Sequence, residues 1–106
     1  IMKLLNSKSA VFCNETEINQ HNEELLNLQN IILSQHKGKR CGVLFPDGTT
    51  KEYFDEFLSS CEYVDFTNGI DLFEENDKYA LHCYGHSYIQ NGFLKYKTQT
   101  IYVVFQ

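Results

Sequence analysis

Residues 79–104, YALHCYGHSYIQNGFLKYKTQTIYVV, decide the fold. Asn91-Gly92 is the preferred pair for a two-residue type I′ turn, which needs positive φ at both positions, and it divides two runs rich in β-branched and aromatic residues. A long hairpin follows. Counting outward from the turn sets Gln90 opposite Phe93, Tyr88 opposite Lys95, His86 opposite Lys97, Tyr84 opposite Gln99 and His82 opposite Ile101. That register gives one face Tyr79, Leu81, Cys83, Ile89, Leu94, Tyr96, Tyr102 and Val104, which is core material. The other face receives His82, Tyr84, His86, Tyr88, Lys95, Lys97 and Gln99. Gly85 marks the place where a bulge would exchange the two faces beyond it.

Upstream of the hairpin, Tyr63-Val64-Asp65-Phe66 and Ile70-Asp71-Leu72-Phe73 have the form of two short strands about Thr67-Asn68-Gly69, followed by a polar turn from Glu74 to Asp77. Further back, Ile18, Leu25, Leu28 and Ile32 recur at helical spacing, with Leu26, Ile31 and Leu33 widening the stripe. Asn14 can cap this helix, Glu17 stands at its third position, and Lys37-Gly38 stops it, so a helix is predicted over 15–36. Ser9 to Cys13 reads as a short strand before it. Arg40 to Phe45 reads as a buried strand after it, ended by the turn Pro46-Asp47-Gly48. Thr49 and Glu52 have capping-box spacing, and Phe54, Phe57, Leu58 and Cys61 fall at i, i+3, i+4 and i+7. A second helix is therefore predicted over about 50–60. Its polar side would gather Glu52, Asp55 and Glu56.

The expected fold is a single α+β domain over residues 1–106. Two helices would pack on one face of a mixed or mainly antiparallel sheet, with a C-terminal β-meander. A hydrophobic fraction of 42%, a charged fraction of 22% and a single proline belong to a globular chain rather than a disordered one. No apolar run approaches the ~20 residues of a membrane-spanning helix, and Asn6, Ser7 and Lys8 interrupt the first apolar stretch before a signal core could form. Met2 is expected to be the natural start, with Ile1 an addition, and the protein is expected to be cytoplasmic. Cys13, Cys41, Cys61 and Cys83 are separated by 27, 19 and 21 residues, which lacks the close pairs of a zinc site and is too sparse for a disulfide scaffold. Buried reduced thiols are expected, and no metal or cofactor.

Charge is uneven. The net charge is −5, yet residues 47–77 carry ten acids (Asp47, Glu52, Asp55, Glu56, Glu62, Asp65, Asp71, Glu74, Glu75, Asp77) against Lys51 alone. From Lys78 onward there are three lysines and no acid. Such a chain would repel phosphate through one segment and steer a basic partner toward it.

No stretch matches a catalytic motif with a mechanism attached. His82 and His86 on a strand lie about 13 Å apart, too far to share one ion. Pairing Cys41 or Cys61 with either histidine has no defining spacing, and His86-Ser87 is half of a two-histidine phosphoesterase motif whose other half is missing. The leading expectation is a small acidic protein-binding protein, an inhibitor of the immunity, antitoxin or anti-defence type. It would occlude a basic, nucleic-acid-handling partner such as a nuclease, without binding nucleic acid or membrane itself, as a monomer or homodimer. Its contacts would come from Glu52, Asp55, Glu56, Glu62, Asp65, Asp71, Tyr84 and Tyr88. The alternative is a metal-independent ribonuclease or nucleotide-binding domain on the hairpin face, with His86 as acid/base and Lys97 and Lys95 on phosphate.

Overall fold

The computed structural model describes residues 2–6, 14–53, 56–58 and 64–106. Among the described residues, one α-helix backs a six-stranded antiparallel sheet. In chain order these are β1 (Lys3–Asn6), α1 (Glu15–Gln35), β2 (Cys41–Leu44), β3 (Thr50–Tyr53), β4 (Ile70–Glu75), β5 (Lys78–Gln90) and β6 (Phe93–Phe105). The strands lie in the order β1-β4-β5-β6-β2-β3, so the two longest strands form the centre.

Helix α1 starts where its capping chemistry places it. The Asn14 side chain accepts a hydrogen bond from the Glu17 amide at 2.9 Å, which satisfies one orphan donor of the first turn, and its amide group donates to the Glu17 carboxylate at 2.8 Å, which steadies the cap. Gly38, at φ +83°, follows the last turn in a conformation that suits glycine. Leu25, Gln29 and Ile32 are buried on one side, whereas Leu26 and Ile31 are about half exposed, so the buried stripe is narrower than the sequence suggests. Gln29 is the polar member of that stripe, and its side-chain oxygen accepts the Leu58 amide at 2.6 Å.

The core joins Leu25 and Ile32 to Val43, Ile70, Leu72, Leu81, Cys83, Ile101 and Val103 on the facing side of the sheet. Cys41 and Cys83 are buried and in no disulfide, and burial pushes the Cys41 thiol up to about 11, which removes the reactive thiolate at neutral pH. Cys13 and Cys61 lie outside the described residues.

Three expectations are corrected. Residues 50–53 are strand β3 and not the start of a helix. The Pro46-Asp47-Gly48 turn closes a hairpin, with the Phe45 amide bonded to the Thr49 carbonyl at 2.9 Å, and β3 then pairs with β2 from Leu44↔Thr50 to Cys41↔Tyr53. The ladder bonds gained along β2 outweigh a weak capping signal. Phe57 is buried, but in a short 3₁₀ turn with Leu58; Phe54, Asp55 and Cys61 lie outside the described residues. Secondly, residues 64–66 lead into a turn rather than a strand, and the Gly69 amide closes it on the Phe66 carbonyl at 2.8 Å. The edge strand on this side is instead β1, antiparallel to β4. The strand predicted over 9–13 falls outside the described residues.

The third correction concerns the hairpin. Asn91 and Gly92 have φ of +52° and +80°, the type I′ signature, and Tyr88↔Lys95 pairs as counted. Beyond that the register shifts, because Ser87 faces Tyr96 while Tyr84 faces Thr98. Gly85 and His86 thus stand together opposite Lys97, a β-bulge. From there inward every pairing moves by one residue. Ile101 and Val103 turn to the core, while Tyr102 and Val104 turn to the opposite face with His82 and Tyr84, reversing the expected assignment for this half of β6.

Candidate functional site

The bulge is built by a loop that reaches it from 21 residues earlier in the chain. Asp65 accepts hydrogen bonds from the Thr67 amide at 3.0 Å and the Thr67 hydroxyl at 2.6 Å, an Asx-type turn. Its other oxygen accepts the His86 amide at 2.9 Å and pairs with Nδ1 of the His86 ring. The same loop extends the sheet. The Asn68 amide donates to the Tyr84 carbonyl at 2.8 Å, the Tyr84 amide to the Gly69 carbonyl at 2.8 Å, and the Asn68 side chain to the Gly85 carbonyl at 2.9 Å. Gly85 leaves no room for anything else, since a Cβ there would come within 2.9 Å of the Asp65 carboxylate.

This arrangement fixes an imidazole. With Nδ1 donating to Asp65, Nε2 is left as the acceptor, on a side chain 73% exposed. The Thr67 hydroxyl and amide, followed by the His86 ring, hold the Asp65 carboxyl well below the usual carboxylate range. A group whose folded pKa lies below its unfolded value of about 3.9 stabilises the fold above that pH and loses its contribution as pH falls toward the folded value. Wild-type protein is therefore expected to lose stability more steeply below about pH 4 than Asp65→Asn, measured by circular-dichroism melting across the acid range. Identical acid limbs would contradict the role assigned to this carboxylate.

A second polar group lies on the sheet face turned away from α1. The Tyr84 hydroxyl donates to Asp71 at 2.8 Å, and His82 Nδ1 lies 2.9 Å from the Thr100 hydroxyl. Burial and the Asp71 carboxylate push the Tyr84 phenol up to about 12. Beside them a shallow groove is lined by Met2, Phe73, Ala80, His82, Thr100 and Tyr102, and the Lys78 ammonium sits 4.6 Å from the Tyr102 ring centroid.

Beyond the bulge the hairpin becomes an arm. Strand β4 pairs with β5 only as far as Cys83, and β2 meets β6 only from Tyr102 onward. Among the described residues, 87–96 pair across the hairpin alone. A strand of 13 residues spans about 43 Å at about 3.3 Å per residue, which accounts for most of the molecule's 48 Å long axis. Near the tip, Ile89 and Phe93 are each 69% exposed, Leu94 52% and Tyr88 41%. Ile89 and Leu94 are cross-strand partners on one face of this ribbon; Tyr88, Lys95, Gln90 and Phe93 occupy the other.

The described members of the acidic set expected to contact a partner lie on several elements. Glu52 lies on edge strand β3, ion-paired with Arg40. Glu56 is exposed, whereas Asp55 and Glu62 lie outside the described residues. Asp65 is committed to the bulge, and Asp71 is only 9% exposed beneath its bond from Tyr84. Glu74 lies in β4 opposite Lys3 of β1, and Asp77 lies in the β4–β5 turn. Tyr84 and Tyr88 share β5 but are separated by the bulge, and Lys97 faces His86 across it. Sequence reasoning assigned Asp65 to a charged patch and missed it as the partner of His86; the only local signal was the Asp-x-Thr spacing of its turn. Comparison with known proteins finds no matching protein family, no matching curated protein and no matching solved structure.

Proposed function

We propose that this chain is a protein-binding domain of the inhibitor class, which occupies the working surface of a nucleic-acid-handling partner. The observation that carries the proposal is the arm. A two-stranded ribbon that holds Ile89 and Leu94 in water, at 69% and 52% exposure, keeps apolar area available for a partner at no further cost in backbone ordering. Burying such side chains contributes about 1.5–3 kcal/mol each. The net charge of −5 acts at longer range, steering a basic partner toward the molecule before the arm makes contact.

This division of labour has a measurable signature. A tagged chain incubated with lysate of its source is expected to retain one stoichiometric basic protein through a high-salt wash, since apolar contact survives screening. The association rate of the purified pair should fall with ionic strength while dissociation changes little. Recovery of no protein, or of one released entirely by salt, would overturn the arm as the gripping element.

A further inference from the structure

We infer that the Asp65–His86 pair at the base of the arm is an acid–base site for phosphodiester transesterification in single-stranded RNA. The inference rests on the bulge and on the Tyr88 face of the ribbon, not on the Ile89–Leu94 face assigned above to a protein partner.

Acid–base work needs an imidazole whose one nitrogen is anchored and whose other is bare. Asp65 provides the anchor, since its carboxylate accepts a hydrogen bond from Nδ1–H and so fixes the ring's tautomer and orientation while Nε2 exchanges the proton. His86 side-chain exposure of 73% leaves Nε2 open to substrate. The substrate class follows from what surrounds the ring. Lys97 lies opposite the bulge, and Lys95 is two residues further along the same face of β6. The chain carries no acid after Asp77, so the ribbon repels no phosphate of its own. Tyr88, partner of Lys95, and Phe93, at 69% exposure, add two rings on that face on which bases can stack between lysine-held phosphates. Rings and ammonium groups sharing one face of a ribbon fit a single strand, whose bases are unpaired and available for stacking.

RNA is distinguished from DNA by the nucleophile it carries. Nε2 of His86 takes the proton of the 2′-hydroxyl, the 2′-oxygen forms a bond to phosphorus, and the bond from phosphorus to the 5′-oxygen breaks. The imidazolium returns the proton to the departing 5′-oxygen. The products are a 2′,3′-cyclic phosphate and a 5′-hydroxyl, with no water, oxidant or reductant consumed. Lys97 compensates the charge that builds on the phosphorane oxygens.

The test uses the purified full chain, a labelled single-stranded oligoribonucleotide and its deoxy counterpart, with chelator present throughout. RNA should be cut to cyclic-phosphate ends, identified by mass spectrometry, and DNA should remain intact. His86→Ala and His86→Gln should each lower the rate by about 10²–10⁴-fold while the chain stays folded by circular dichroism, and Lys97→Ala should lower kcat more than it raises KM. Absence of cleavage by wild-type protein, equal cleavage of DNA, or undiminished cleavage by both His86 variants would each overturn the assignment.

Discussion

Replacing Ile89 and Leu94 together with aspartate is expected to abolish partner capture while leaving the fold intact. The two side chains are cross-strand partners on a ribbon that projects beyond the rest of the sheet, and more than half of each is in water. No core contact is lost when they change, and the cost to the fold is confined to the ribbon, where two facing carboxylates repel by about 1 kcal/mol or less. Binding responds differently, because an apolar anchor seated in a partner's pocket contributes about 2 kcal/mol or more, and an unpaired carboxylate in that pocket adds a desolvation penalty. Two such losses correspond to about a thousandfold in affinity. Calorimetry or surface plasmon resonance against the captured partner reads the effect, and a melting curve controls for folding. A double variant that binds within tenfold of wild type would move the contact away from the arm.

Gly85→Ala is expected to be the most damaging methyl addition along β5. A Cβ at residue 85 would approach Asp65 to 2.9 Å, and Asp65 cannot yield freely because its carboxylate is bonded to Thr67 and His86. Either the loop shifts and these bonds are lost, or the bulge is squeezed out and β5 slips by one residue against β6. Overpacking of this kind costs about 1–3 kcal/mol, which for a domain of this size lowers the melting temperature by several degrees per kcal/mol. The His86 ring loses its anchor in the same event, so the imidazole resonances should shift along with stability. Gly92→Ala makes the contrast, since φ there is +80° with open space around the Cβ position, and strain alone is at stake. If Gly85→Ala proves no worse than Gly92→Ala, the close approach of Asp65 to the bulge is wrong.

These two variants also mark where the sequence is legible. The turn at Asn91-Gly92 needs positive φ twice, and few residue pairs allow it, so the hairpin could be read without knowing what surrounds it. The Asn14–Glu17 cap and the stop at Gly38 are equally local, and α1 runs between them. Residues 50–53 were misread because capping-box spacing and an i, i+3, i+4 pattern say nothing about a neighbouring strand. Strand β2 lies 6 to 12 residues away, and its open edge offers Thr50–Tyr53 a ladder that a short helix could not match.

What the sequence determined by itself is therefore the α+β class, the helix with its cap and stop, and the existence of the long hairpin, each written in contacts of four residues or fewer. The tertiary structure decided the register, the candidate site and the fate of the acids. Gly85 signalled that a bulge was possible, but whether one formed depended on Asp65, 21 residues from His86, arriving beneath the strand. That single bulge turns Ile101 and Val103 inward and sets Gly85 beside His86 opposite Lys97. The same packing sent the described acids to several elements, because strand pairing distributes a continuous stretch of chain over an edge, a buried ladder and a turn. Charge along a sequence is one-dimensional, and only the pairing of strands determines which charges meet.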